Sequence, residues 1–306
     1  MNIRDLGYIR ALARFGHFSR AAEACHVSQP ALSGQIKKLE AELGVILFER
    51  DSRSVRITDI GQQIANLAED ALSVVEDIRS TAEAARDPVS GRFRLGSIPT
   101  ISPYLMPHIL LKGRTALPSL RLEFQEDITE RLNGALLDGE MDAAILATSA
   151  GSSKFDTIPL YDEPFWVIFP NGHSLHRLGG ITTKDLPVNE LLLLSEGHCF
   201  RDQTVDVCRL DGAPEKSAIR ASSLETLINM VAAGQGITLI PARALSGGWA
   251  NHPDVKVEKL DDPNAYRRIY LTYRKTFPRR VLLEKIAHLI CTNLSSQVRP
   301  LFPVHS

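Results

Sequence analysis

Residues 59–87 constrain this chain more than any other stretch. Thr58 suits a helix N-cap, and apolar residues follow at Ile60, Ile64, Leu67, Ala71, Val74, Val75 and Ile78, the spacing of one helical face. Asp87-Pro88 and Gly91 close the stretch. A helix this long with a single apolar stripe needs a cover for that stripe: the chain's own body or a second copy of itself. Its neighbours in sequence are a short domain and a linker, which favours a second copy. Three parts follow: a head at residues 1–58, a linker and dimerisation helix at 59–90, and a body at 91–306.

Charge is divided along the same lines. The chain of 306 residues has a net charge of -1, but the head holds nine Lys or Arg against six Asp or Glu, and residues 59–90 hold two against seven. A basic head is a first pointer to nucleic acid. Within it, Ile3, Leu6, Ile9, Leu12 and Phe15 mark a helix closed by Gly16. Ser19 suits the N-cap of a second short helix, R-A-A-E-A-C. After the break at His26-Val27, Ser28 can cap a third helix with Pro30 in its first turn. That helix carries Leu32, Ile36, Leu39 and Leu43 as its buried face and stops at Gly44. Two short helices, a tight turn and a longer third helix make a helix-turn-helix, and V-I-L-F-E-R with S-V-R-I-T-D adds two short strands as a wing.

From Arg92 the pattern alternates between strand and helix. R-F-R-L-G-S-I-P, L-R-L-E-F-Q-E-D and M-D-A-A-I-L read as strands separated by helices at 103–116 and T-E-R-L-N-G-A-L-L-D-G. Further strands are expected at P-F-W-V-I-F-P, N-E-L-L-L-L-S, G-I-T-L-I-P and R-R-I-Y-L-T-Y-R, with helices after Ser223 and near the C-terminus. This alternation predicts an α/β body with a largely parallel sheet and ligands at strand C-terminal ends. No apolar run approaches the ~18 residues of a membrane span, and M-N-I-R-D-L has no apolar signal core. The expectation is a cytoplasmic protein that meets no membrane and keeps its four cysteines reduced. No catalytic triad spacing or metal-ligand set stands out, so no enzyme activity, metal or cofactor is expected.

Ser28 to Arg50, S-Q-P-A-L-S-G-Q-I-K-K-L-E-A-E-L-G-V-I-L-F-E-R, closely resembles the DNA-binding head of LysR-type transcriptional regulators. The long helix and S-L-E-T-L-I-N-M-V-A-A-G-Q-G-I-T-L-I-P resemble the family's linker and its effector domain. The resemblance implies a winged helix-turn-helix, a long linker helix and a two-subdomain α/β body like a periplasmic binding protein. It also implies double-stranded DNA with inverted-repeat sites as a partner, RNA polymerase as a second, and a homo-oligomer, with a dimer of dimers expected. On the third helix Ser28, Gln29, Pro30, Ser33 and Gln35 lie at or near the leading end, where side chains meet base edges. Lys37 or Lys38, Arg50 and Arg53 suit phosphates or the minor groove, with plain solvation as the other reading of the lysines.

G-H-C-F-R-D-Q-T-V-D-V-C, Gly197 to Cys208, is similar to the redox segment of the family's peroxide-sensing members. The resemblance implies that hydrogen peroxide oxidises Cys199 to a sulfenic acid, which Cys208 captures as a disulfide, to activate antioxidant genes. It further implies Thr100, Thr129, His198 and Arg267 as peroxide-binding residues; Arg268 competes with Arg267, and both threonines also suit helix capping. Arg201 and Asp202 are expected to support the thiolate, since only the thiolate attacks peroxide. Cys199 is expected near the start of a short helix, Arg201 to Leu210, where unpaired backbone N–H groups favour an anion. If 200–208 is helical, nine residues at ~1.5 Å rise separate the α-carbons by ~13 Å on opposite faces, beyond the ~7 Å that a disulfide tolerates. The bridge would then require that helix to unwind. Cys25 and Cys291 sit on apolar helical faces and read as core. Two other functions stay open: a regulator controlled by a small organic effector with incidental cysteines, and a thiol peroxidase, which would not need the head.

Overall fold

The computed structural model describes residues 1–50, 55–208, 220–248, 252–292 and 294–303. It divides into two compact units, Met1–Ala82 with Leu137–Glu140, and Glu83–Leu136 with Met141–Ser306.

The first unit opens with α1 (Ile3–Phe15), which Gly16 ends in a left-handed conformation at φ 58°. Helix α2 (Phe18–Ala24) follows, capped by the His17 ring rather than by Ser19: Ser19 N donates to His17 Nδ1 at 3.2 Å. Helix α3 (Gln29–Leu43) has Ser28 as its N-cap, Pro30 in its first turn and Gly44 as a left-handed C-cap. It buries Leu32, Ile36 and Leu39, whereas Leu43 is exposed, because the last turn leaves the core that α1 and α2 provide. Strands β1 (Phe48–Arg50) and β2 (Val55–Ile57) pair antiparallel as the expected wing. Arg53 lies outside the described residues, and Arg50 is described in its backbone alone.

Thr58 caps α4 (Asp59–Arg86), its Oγ1 accepting from Gly61 N at 2.9 Å. One face of α4 gives Ala65 and Ala68 to the head's core. Another leaves Ile60, Leu67, Val74 and Ile78 exposed, Leu67 to 67%. Their spacing of seven, seven and four is that of a coiled-coil seam, and nothing among the described residues covers it. The contact boundary between the two units falls within α4, at Ala82/Glu83.

The second unit begins with β3 (Gly91–Ser97), α5 (Ser102–Ala116), β4 (Leu120–Glu126), α6 (Thr129–Leu137) and β5 (Ala143–Leu146). Then come β6 (Phe155–Pro170), β7 (Leu193–Leu194), α7 (Cys199–Val207), β8 (Arg220–Ala221), α8 (Leu224–Ala232) and β9 (Thr238–Pro241). Strands β10 (Val255–Lys259) and β11 (Tyr266–Arg274), helix α9 (Arg280–Cys291) and β12 (Arg299–Pro300) complete it. The expectation of a largely parallel sheet is corrected. Strand β3 is parallel to β4 and β5, and β7 to β8, but β11 runs antiparallel to β5 and β6, and β6 antiparallel to β9, β10 and β12. The cause is β6, which continues for 16 residues. Its first part pairs with β11 and its second with β9 and β10, so it carries the chain from one half of the body to the other. Strand β11 brings the chain back beside it, and Phe165 N bonds to Ala265 O at 2.8 Å where they meet. Outgoing and returning neighbours pair antiparallel. The second half has its own core around Phe165, Phe169, Phe200, Leu227, Val231 and Leu239. No helix among the described residues is long and apolar enough to cross a membrane.

Candidate redox site and DNA-reading face

Gly197 has φ 90°, a conformation that glycine adopts without strain. The turn lets α7 begin at Cys199, two residues earlier than expected, with His198 at the N-cap position but making no side-chain cap. Cys199 is therefore the first helical residue, beside backbone N–H groups that no helical carbonyl satisfies. Around it are Ile98, Pro99 and Thr100 from the end of β3, Ile128 and Thr129 from the end of β4, and Gly197, His198 and Phe200. The ends of two adjacent parallel strands thus meet the start of a helix from the other half of the body. The pocket holds about 190 Å³ of empty space, mouth included. Sites for drug-sized molecules run to ~300–1,000 Å³.

Arg267 and Glu163 lie behind Thr100 and Phe200. Their side chains are each 1% exposed, and Arg267 Nε donates to Glu163 Oε2 at 2.8 Å. Arg267 Nη1 donates to Thr100 Oγ1 at 2.8 Å and Nη2 to Thr100 O at 3.1 Å. The guanidinium carbon lies 5.2 Å from the Phe200 ring centre, and Phe200 packs edge-on against Phe165 at 5.4 Å. Burial pushes the Cys199 thiol up, while the charge of Arg267 and the hydroxyl of Thr129 pull it down. Thr129 Oγ1 is buried with no hydrogen-bond partner among the described residues, and its hydroxyl is near enough to favour the Cys199 thiolate. Burial lowers the His198 pKa and so favours the neutral imidazole.

Two expectations change. Asp202 does not support the thiolate: its negative charge raises the Cys199 pKa. Arg201 stands 3.8 Å from Glu196 and 3.9 Å from Asp202; the cation that acts on the sulfur is Arg267. Arg268, the competitor of Arg267, pairs with Asp162 at 2.6 Å instead. Sequence reasoning missed Glu163 and Phe200. No alternation in P-L-Y-D-E-P-F-W-V marks Glu163 as buried, because Leu160 to Glu163 are buried in succession.

Cys199 and Cys208 are both free thiols. Cys208 is the C-cap of α7 and packs against the core of the second half, and burial pushes its thiol up to about 11. Nine helical rises separate the two α-carbons by ~13 Å. Gln203 Nε2 donates to Ala147 O at 2.6 Å, and Thr204 Oγ1 to Phe200 O at 2.8 Å; both hold α7 in its helical form. Cys291 is buried with its thiol raised to about 11, and Cys25 is partly buried against the head's core. Among the described residues no group of three His, Cys, Asp or Glu side chains is placed to hold a metal.

On α3, Ser28 Oγ accepts from Ala31 N at 3.3 Å, and Gln29 Oε1 accepts from Ser19 Oγ at 3.0 Å. Gln29, Pro30, Lys37 and Lys38 are exposed and Ser33 is half-buried. Gln35 is a correction: its Nε2 donates to Asp5 Oδ1 at 2.9 Å, and Asp5 is 3% exposed. That amide ties α3 to α1 and is not presented to a base.

The head and body match two family models, the bacterial regulatory helix-turn-helix protein of the lysR family over residues 3–62 and the LysR substrate binding domain over residues 86–291. The chain belongs to the LysR family, a regulator and not an enzyme. Within that family it is 42% identical to the DNA-binding transcriptional dual regulator OxyR of Escherichia coli K12, over 95% of each chain. A hydrogen peroxide-inducible genes activator from Haemophilus influenzae is 38% identical over 97% of this chain and 98% of its own. Among solved structures, a full-length OxyR from Pseudomonas aeruginosa with a cysteine-to-aspartate substitution is 38% identical. It aligns with a TM-score of 0.76 over 98% of this chain and 97% of its own. A peroxide-bound cysteine-to-serine variant of Corynebacterium glutamicum OxyR is 34% identical, with a TM-score of 0.64 over 95% and 92%.

Proposed function

We propose that this chain is a peroxide-responsive transcription activator whose trigger is Cys199. The observation that carries the reading is the site's size and charge: a half-buried cysteine at a helix start, in a pocket of about 190 Å³, with a buried arginine behind it. Such a pocket suits an oxidant of two oxygen atoms better than an organic effector. Thr100, Thr129 and His198 hold the peroxide. The Cys199 thiolate attacks one oxygen, the O–O bond breaks, and the departing hydroxide takes a proton to become water. The thiolate of Cys208 then attacks the sulfenic sulfur, displacing a second water and closing the disulfide. Because the two residues begin ~13 Å apart along α7, the bridge unwinds that helix and remodels the body and the oligomer.

The likeness to peroxide-inducible activators supports the same reading. The output is double-stranded DNA at inverted repeats and contact with RNA polymerase, in the cytoplasm. Ser28, Gln29, Pro30 and Ser33 meet base edges, and Lys38, Arg50 and Arg53 meet phosphates or the minor groove. The exposed seam of α4 pairs with a second copy, and two such dimers form a tetramer. The test is thiol counting by mass spectrometry before and after one equivalent of hydrogen peroxide, in wild type, Cys199→Ser and Cys208→Ser. Two thiols lost with a Cys199–Cys208 cross-linked peptide, absent from both variants, is the expected result. Four thiols still free would exclude the mechanism.

A further inference from the structure

A second pocket lies where the 3-10 turn Ala242–Ser246, after β9, meets α5 and residues 294–297. It holds about 890 Å³ of open space, mouth included, and His108, Arg243, Ser295, Gln297, Leu245 and Leu294 line it. Arg243 is the unusual member. The residue is 8% exposed, and among the described residues its guanidinium makes one hydrogen bond to protein, Nη2 to Tyr104 O at 2.9 Å. Its Nε is buried with no partner. The nearby carboxylate, Glu163, turns one oxygen to the backbone N of Arg243 at 2.7 Å and the other to Arg267 at 2.8 Å. Both Glu163 oxygens are therefore taken, one by the Arg243 backbone and one by the Arg267 ion pair, while the Arg243 guanidinium carbon lies 6.0 Å from the Tyr161 ring centre. Buried cations are ordinarily paired, and among the described residues no carboxylate forms an ion pair with the Arg243 side chain.

We propose that this pocket binds a small molecule bearing an oxyanion, a carboxylate or a phosphate, on Arg243. Arg243 supplies the charge, His108, Ser295 and Gln297 supply hydrogen bonds at the rim, and Leu245 and Leu294 take an aliphatic part. The space is of the size of metabolite sites, unlike the pocket at Cys199. Nothing in the assignment requires Cys199 to be redox-active, so it stands or falls separately from the peroxide reading.

The test is calorimetric titration of the full reduced protein, wild type and Cys199→Ser, with sodium phosphate and with sodium succinate at fixed ionic strength, chloride serving as the control. Saturable one-to-one binding of either anion is expected, equal in the two proteins. The anion that binds tells phosphate from carboxylate as the preferred group. Arg243→Gln should weaken binding at least tenfold. Because Arg243 also holds Tyr104 O, His108→Ala and Gln297→Ala, both on the exposed rim, give a second measure and should each weaken binding several-fold. No saturable binding of either anion up to tens of millimolar would overturn the proposal. Binding that all three substitutions leave unchanged would overturn it too.

Discussion

Arg267 can be shown to act on the thiol through its charge by comparing two substitutions that break the same ion pair. Arg267 and Glu163 are 2.8 Å apart with side chains 1% exposed. Removing either partner strands the other charge, at a cost of ~3–5 kcal/mol. At ~2–4 °C per kcal/mol for a body of this size, Arg267→Gln and Glu163→Gln should each lower Tm by roughly 6–20 °C. Their effects on Cys199 should part. Arg267→Gln removes the cation that pulls the thiol down. An opposite charge at close range shifts a pKa by ~1–3 units, so the thiolate fraction at pH 7 falls ~10- to 1,000-fold. Glu163→Gln leaves Arg267 in place without its neutraliser, so the thiol ionises as readily or more so. The assay is the rate of Cys199 alkylation by iodoacetamide against pH, read by mass spectrometry, beside thermal unfolding. Arg267→Lys, which keeps the charge, should retain most of the wild-type profile. If both Gln variants slow alkylation to the same degree, in step with their loss of Tm, Arg267 is a packing strut and the electrostatic account fails.

On the DNA face, Lys38→Ala should weaken binding on all sequences and reduce the salt slope by about 1, whereas Gln29→Ala should cost ~1–3 kcal/mol of discrimination at one base pair. Gln35→Ala should lower the head's thermal stability and leave sequence preference unchanged, measured by unfolding and by binding to a site library; an altered preference would restore Gln35 to the interface. Leu67→Lys combined with Ile78→Lys places charge in the exposed seam of α4 and should shift sedimentation toward monomer, and an unchanged oligomer would mean that the seam is not an interface. Cys208 and Cys291 have thiols raised to about 11, above the ~8.5 of an unfolded chain. Their contribution to stability is complete below ~8.5 and is lost as pH rises toward 11, so Cys291→Ala should flatten denaturant stability against pH in that window; an identical slope would exclude the thiol.

The head was legible almost residue by residue, because helix caps and left-handed glycines act locally: Gly16, Ser28, Pro30, Gly44 and Thr58 all do what their chemistry suggests. His17 replaced Ser19 as the cap because α2 begins earlier, at Phe18, and the His17 ring accepts the Ser19 N–H in its first turn. The sheet was read less well. Hydrophobic runs identify strands but do not say which strand lies beside which, and only the second part of β6, P-F-W-V-I-F-P, reads as a strand, while the whole of β6 serves two sets of partners. The thiol site was half legible. Cys199 and the two threonines could be placed, but the choice between Arg201 and Arg267 depends on a fold that brings β11 under α7. Nearness in sequence favoured Arg201; nearness in space belongs to Arg267.

If the disulfide forms as proposed, the packing of α7 sets how readily it is reduced. Unwinding withdraws Phe200 from between Phe165 and Arg267 and breaks the bonds that Gln203 and Thr204 make. Burying one such aromatic is worth ~1.5–3 kcal/mol and each hydrogen bond ~0.5–1.5 kcal/mol, so the reduced form is favoured by about 2.5–6 kcal/mol over an unconstrained loop. With ~30 mV equal to 1.4 kcal/mol for two electrons, the bridge should be roughly 50–130 mV more oxidising than one joining the same cysteines in a free peptide. Such a bridge is easily reversed, as a sensor requires and a structural staple does not. Gln203→Ala removes one latch from the reduced form alone and should make the potential ~10–30 mV more negative in glutathione redox buffers. A potential that does not move would mean that Gln203 bonds equally well in both forms, and that the cost of the switch lies elsewhere in α7.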